Sequence, residues 1–252
     1  MARLRTAGCV FAEDEARLLV DEARTAAELE AMVGRRLDGL PLEQVLGWAE
    51  FCGLRIALQP GVFVPRRRTE LLVANAVALA PPGATVVDVC CGSGAVAAAV
   101  LARCPTVEVH AGDVDPAAVR CARVNVPGPR GHVYEGDLFA PLPSALRGQV
   151  DVLVANAPYV PTDAIATMPP EARLHEPRVA LDGGPDGLGV QRRIAAGAVT
   201  WMAAGGRLII ETSEGSADDL AAVFAQHGLA PRVVRSDELD GTVVIGTRDN
   251  QP

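Results

Sequence analysis

The 252-residue chain reads as an α/β protein with a seven-stranded, mostly parallel, doubly wound sheet. Three observations predict it. From Thr85 onward, short apolar runs alternate with helical stretches. Strands separated by helices pair in parallel and are covered on both faces, so they read as nearly continuous apolar segments. The first strand runs straight into Gly92-Ser93-Gly94, and a helix opens at Ala95, the form of turn that open parallel sheets place beside a ligand. The composition, 49% hydrophobic and only 4% aromatic, suits one full-sized domain with a small appendage.

The elements follow in order. Residues 13 to 38 carry Leu18, Leu19, Ala23, Ala26, Leu29, Met32, Val33 and Leu37 among acids and arginines, a helical periodicity ending at Gly39. It predicts one helix or two short ones. Pro41 to Gly47 forms a short helix, and Leu54 to Leu58 with Val62 to Val64 alternate like a hairpin around Pro60 and Gly61. Glu70 to Leu79 is a helix broken by Pro81, Pro82 and Gly83. The strands are Thr85 to Val89, Val107 to Gly112, His132 to Glu135, Val150 to Ala155, Gly206 to Glu211, Ala230 to Arg235 and Thr242 to Gly246. Helices lie at Ala95 to Arg103, Pro116 to Asn125, Gly187 to Ala203 and Ser216 to Gln226. The expected division is a helical and hairpin docking region over 1–75 and a cofactor-binding domain over 76–252.

The net charge of −8 excludes the broad basic footprint of a protein that grips a long stretch of nucleic acid. Arg66, Arg67 and Arg68 form the one run of three basic residues. Apolar stretches are broken well short of the roughly 18 to 20 residues a membrane span needs. The N-terminus has no secretory core, so a cytoplasmic protein is expected, without membrane partners. The six cysteines lack C-x-x-C spacing and are expected reduced and mostly buried. His110, His132, His175 and His227 are scattered without metal-ligand spacing, so no metal is expected.

Asp88, Asp113 and Asp137 close the first three strands. Ligands of open sheets bind at the carboxyl ends of strands, so these carboxylates face one crevice. A carboxylate after the second strand can accept both hydroxyls of a ribose, while Asp115 caps the helix at Pro116. The loop continues Gly92-Ser93-Gly94-Ala95-Val96-Ala97, which does not exclude a dinucleotide. Asp137 and the turn Asn156-Ala157-Pro158-Tyr159 favour a ligand without pyrophosphate, such as S-adenosylmethionine. That turn follows the apolar strand Val150 to Ala155, and its proline stiffens the backbone behind a polar amide. A planar hydrogen-bonding group so held suits a reaction on an amide or amino nitrogen.

Several motifs occur in order. Val64-Pro65-Arg66-Arg67-Arg68-Thr69-Glu70 is similar to I-P-R-P-E-T-E, Asp88 to Gly94 to D-L-G-T-G-S-G, and Asn156 to Tyr159 to N-P-P-Y. His175-Glu176-Pro177, Ala180-Leu181 and Asp186-Gly187-Leu188 match Y-E-P, A-L and D-G-L. From Leu40 to Glu214 the chain thus resembles the HemK/PrmC family of protein (glutamine-N5) methyltransferases, a branch of the Rossmann-like class I S-adenosylmethionine-dependent enzymes. The resemblance implies that Asp88, Cys90, Gly92 and Gly94 shape the cofactor pocket and that Asp113, beside Val114, holds the ribose. Asp137 and Leu138 flank the adenine, and Pro65, Arg66, Thr69 and Glu70 border the cofactor from the N-terminal side. Asn156 and the Ala157 carbonyl bind a substrate glutamine amide, with Pro158 stiffening the turn and Tyr159 packing beside it. The implied partner is a protein presenting a glutamine, with a peptide chain release factor as candidate, and the implied product is S-adenosylhomocysteine.

Departures from the family pattern are Cys90 for the first loop glycine, Ala157 for the first proline of the turn, Arg67 and Arg68 for a proline and an acid, and His175 for tyrosine. Cys90 and Ala157 are small enough to keep the backbone geometry. The stretch before the glycine loop is shorter than in members that modify release factors. Other classes compatible with the residues are an amino methyltransferase for a nucleic-acid base, one for a small metabolite, and a catalytically silent partner-binding module.

Overall fold

A computed structural model describes residues 1–249. Five strands and their crossover helices build the parallel part of the sheet: β3 (Thr85–Val89), β4 (Glu108–Asp113), β5 (Gly131–Glu135), β6 (Val150–Ala155) and β7 (Met202–Thr212). The chain closes with β8 (Leu229–Ser236) and β9 (Gly241–Arg248). The order across the sheet is β5-β4-β3-β6-β7-β9-β8. Only β9 runs antiparallel to its neighbours, because β8 and β9 are joined by a short turn that leaves no length for a crossover.

Side-chain alternation divides the core between the two faces. Val86, Val109, Val152 and Ile209 pack under α5 (Glu70–Leu79) and α6 (Ala95–Arg103). Val87, Leu153, Leu208 and Val244 pack under α9 (Gly189–Trp201) and α10 (Ala217–Gln226). The remaining crossover, α7 (Pro116–Asn125), begins with Asp115 accepting a hydrogen bond from Ala117 N–H and Pro116 at the first helical position, an arrangement that presets the first turn.

The predicted elements differ from the observed ones mainly before Thr85. The N-terminal periodicity resolves into α2 (Ala12–Glu22) and α3 (Ala26–Leu37), preceded by α1 (Ala2–Thr6) and followed by α4 (Leu42–Leu46). Thr25 caps α3 by accepting from Glu28 N–H, which is why the helix restarts there. The expected hairpin is misplaced by one strand. The pair is β1 (Trp48–Phe51) with β2 (Leu54–Ala57), turning at Cys52 and Gly53, and residues 62–64 form no strand. The ladder ends at Ala57, and Val62 and Val64 are buried instead in a small cluster with Leu58 and Cys121. The side chain of Asn125 spans this junction, donating to the Ala57 and Ser93 carbonyls at 2.8 Å while accepting from Ala57 N–H. It ties the hairpin to the glycine loop.

A separate apolar cluster of Leu4, Leu19, Met32 and Val45 joins the N-terminal helices. Arg36 pairs there with Glu15 at 2.7 Å and reaches Glu171 on α8 (Pro170–His175), also at 2.7 Å. Of the six free cysteines only Cys91 and Cys121 are buried; the other four are half-buried, which corrects the expected burial. Among the described residues no helix is long and apolar enough to cross a membrane.

Candidate active site

The sheet order reverses between β3 and β6. From β3 the chain crosses toward β4, whereas β6 leads away toward β7. Parallel pairing of Val89 with Ala155 brings the next residues, Cys90 and Asn156, side by side at the carboxyl ends. Such a switch point leaves a crevice between diverging connections. It is lined here by Asp88, Cys90, Gly92, Asp113 and Val114 from one half and by Asn156 to Tyr159 from the other. Arg66 and Thr69, from the segment after the hairpin, close its remaining side.

Asp113 organises the glycine loop. One carboxylate oxygen accepts from Gly92 N–H at 2.8 Å and the other from Asp115 N–H at 2.9 Å. Burial raises its pKa, and these two N–H groups act in the opposite direction. Each oxygen keeps a further lone pair for a ligand hydroxyl.

Asp88 is deeper, 1% exposed, with Oδ2 lacking a hydrogen-bond partner. Burial pushes its carboxyl up to about 8, with the Asp113 charge adding to the effect and the Ala97 N–H opposing it. Unfolded, the same group titrates at about 4. Folding therefore takes up a proton between those values, and stability falls as pH rises from about 4 to about 8. Asp88→Asn should flatten this fall, which reaches about 1.4 kcal/mol per pH unit at full slope. Urea unfolding of wild type and variant across that range measures it, and parallel pH profiles would contradict the assignment.

Cys90 has φ +61°. The left-handed conformation crowds Cβ of an L-residue and costs roughly 1–2 kcal/mol, so the loop keeps a glycine-like geometry under strain. Cys90→Gly should unfold with about 1 kcal/mol more stability than Cys90→Ala. Equal stabilities in urea melts would refute the strain.

Asn156 is oriented from behind. Its Nδ2 donates to the Thr69 hydroxyl at 3.3 Å, leaving Oδ1 as an acceptor on a residue that lines the crevice. Thr69 and Tyr159 flank Glu211, a carboxylate at the end of β7 that is 1% exposed. Burial raises the pKa of Glu211, while Thr69, Arg68 and Tyr159 stabilise its charge; Arg68 Nε lies 3.7 Å away. Burial is also the main reason the Tyr159 hydroxyl is raised to about 12, with Glu211 adding to it. Among the described residues neither Glu211 oxygen has a hydrogen-bond partner, and Tyr159 stays protonated at neutral pH.

Behind the turn, Val160 exchanges backbone hydrogen bonds with Leu181 and Gly183 at 3.0 and 2.9 Å. At Gly187, with φ +77°, a Cβ would collide with the Tyr159 carbonyl oxygen. The D-G-L motif is therefore a backing for the turn. Glu176, its side chain buried, accepts from Arg66 at 2.6 Å and from Val64 N–H at 3.3 Å. That pair clamps the post-hairpin segment to the loop after β6. Two arginines of the basic run thus serve carboxylates around the crevice.

The methyltransferase small domain family matches residues 53–184. A release factor glutamine methyltransferase of Geobacter sulfurreducens is 36% identical over 224 residues, covering 88% of this chain and 78% of that protein. Another, from Mycolicibacterium smegmatis, is 38% identical over 217 residues, 85% of this chain and 76% of its own. The chain belongs to the release factor glutamine methyltransferase family. A solved methyltransferase from Pyrococcus furiosus, 15% identical, shares the class I fold with a TM-score of 0.60, covering 86% of this chain and 97% of that one.

Within this family frame, three of the residues expected at the cofactor do not line the crevice. Gly94 does not line the crevice. At φ +77° it starts α6, and a Cβ there would lie 2.9 Å from Val126 Cγ2 and 3.1 Å from Ala122 Cα. Its glycine is required by helix packing. Asp137 is exposed and paired with Arg193 of α9 at 2.5 Å, so the three strand-end carboxylates do not share one crevice. Leu138 packs with the apolar cluster under α9. Conversely, Glu211 carried no signal in the sequence beyond ending a strand, since only the tertiary fold brings it to Thr69 and Tyr159.

Proposed function

We propose that this chain transfers a methyl group from S-adenosylmethionine to the side-chain amide nitrogen of a glutamine in a protein, with a peptide chain release factor as the substrate. The observation that carries the reading is the Asn156 turn: Thr69 accepts from its amide nitrogen, and Asn156 and Ala157 both line the crevice, where their oxygens would serve as paired acceptors. Membership of the family supports the choice of substrate.

The donor set fits the methyl donor. Asp88 offers a buried carboxyl oxygen without a partner, whose charged form an adjacent ammonium group would favour, and Asp113 offers lone pairs to a ribose diol. When bound, S-adenosylmethionine supplies a methyl group already activated on a cationic sulfur. The chain's residues then have three tasks. Asp113 fixes the glycine loop and the sugar, Asn156 and Ala157 accept the two N–H groups of the glutamine amide, and the apolar walls around Ala157 and Pro158 exclude water.

An amide nitrogen is a poor nucleophile because its lone pair is delocalised into the carbonyl. Two acceptors on its N–H bonds align the nitrogen and favour the positive charge that develops there, so positioning supplies most of the rate. The amide nitrogen gains the methyl group and afterwards gives up one of its two protons to solvent, S-adenosylhomocysteine being the other product, so the site needs no strong base. The N-terminal helices α1 to α4 serve as the partner-docking region and the rest as the cofactor-binding domain; a division at 75/76 would cut α5, whose Leu71 to Val73 pack in the sheet's core.

Incubation with isotope-labelled S-adenosylmethionine and a cell lysate, followed by mass spectrometry of the labelled molecules, tests the class. Label on a protein glutamine is expected. Label confined to nucleic acid or small metabolites would overturn the reading.

A further inference from the structure

A second cluster of chemically capable side chains lies away from the crevice, on strands β4 and β5. Parallel register pairs His110 directly with His132. Glu108 stands two residues before His110 and Tyr134 two after His132, so all four share one face of the strand pair. His110 Nε2 and His132 Nε2 lie 3.4 and 2.8 Å from the same Glu108 oxygen, and the three ligand atoms fall within 4.8 Å of one another. The two imidazoles stack with centroids 4.8 Å apart. Spacing along the chain concealed this, because 22 residues separate ligands that the sheet places side by side.

We propose that Glu108, His110 and His132 form a binding site for a divalent transition metal of the zinc class. Two imidazole nitrogens and a carboxylate oxygen are a donor set such ions take, and tetrahedral bonds of about 2.0 Å place neighbouring ligand atoms roughly 3.3 Å apart. His110 is 5% exposed, and its Nε2 has no hydrogen-bond partner. Its other nitrogen, Nδ1, lies 3.0 Å from the Tyr134 hydroxyl. Donation from Nδ1–H to that hydroxyl leaves the Nε2 lone pair for a metal and fixes the ring, the outer support that metal-binding histidines usually have. Glu108 and His132 are partly exposed, which gives an entry path and leaves a coordination position to solvent. The ion would pin the edge strand β5 to β4.

Cobalt(II) and zinc titrated into chelator-treated full-length protein test the site. One equivalent of cobalt should bind with the visible spectrum of a four-coordinate nitrogen and oxygen site, and zinc should displace it and raise the melting temperature. His132→Asn and Glu108→Gln alter partly exposed positions and should each weaken binding at least tenfold in calorimetry, with an unchanged circular dichroism spectrum. Tyr134→Phe should weaken it about 10- to 100-fold, as expected for an outer-shell partner. Absence of stoichiometric binding, a thiolate charge-transfer band, or affinity that survives both His132→Asn and Glu108→Gln would overturn the proposal.

Discussion

Asn156→Ala should reduce methyl transfer to a glutamine-bearing protein about 100- to 1,000-fold, while affinity for S-adenosylhomocysteine changes less than about threefold. The magnitude follows from removing one preorganised hydrogen-bonding group at a reacting centre, about 2.7–4 kcal/mol. The separation of effects follows from position. Asn156 follows β6 and is held by Thr69, whereas the groups assigned to the donor belong to the ends of β3 and β4. Single-turnover kinetics with calorimetry of the product analogue measures both. Turnover within a few-fold of wild type would remove Asn156 from the mechanism. An equal loss of cofactor affinity would make it a binding residue instead.

Asp113→Ala should act in the opposite way, lowering affinity for S-adenosylhomocysteine by about tenfold to more than 100-fold. Charge-assisted hydrogen bonds contribute about 1.5–3 kcal/mol each, and this carboxylate has more than one use. It accepts from Gly92 and Asp115 N–H groups, so truncation also releases the loop that approaches the ligand. Asp113→Asn keeps one acceptor oxygen and should lose less. Calorimetry decides the matter, and unchanged affinity in the alanine variant would contradict both the ribose contact and the loop-fixing role.

The doubly wound domain was legible because its signals are local. Continuous apolar strands, the Asp115-Pro116 helix start and the break at Pro81 to Gly83 each act within a few residues, and the strand centres agree with the fold. The hairpin was misread because Val62 and Val64 alternate like a strand while packing against Cys121 from α7, a contact that propensity cannot reveal. At the site, Asp88, Asp113, Asn156 and Thr69 were recognisable from motif order, and the crevice gathers them. Gly94 packs against α7 and Asp137 pairs with Arg193 on the surface, contacts that look the same in sequence as ligand-facing ones. Glu211 and the His110–His132 pair were invisible for the reverse reason, since long-range register creates them.

The ordered turn at Asn156 is the centre of the account, and its most direct test is peptide mass spectrometry of a purified release factor after incubation with this protein and S-adenosylmethionine. One methyl group on the side-chain nitrogen of a glutamine is the predicted result, lost when that glutamine is replaced by glutamate. An unmodified release factor, or a methyl group on any other type of side chain, would contradict it.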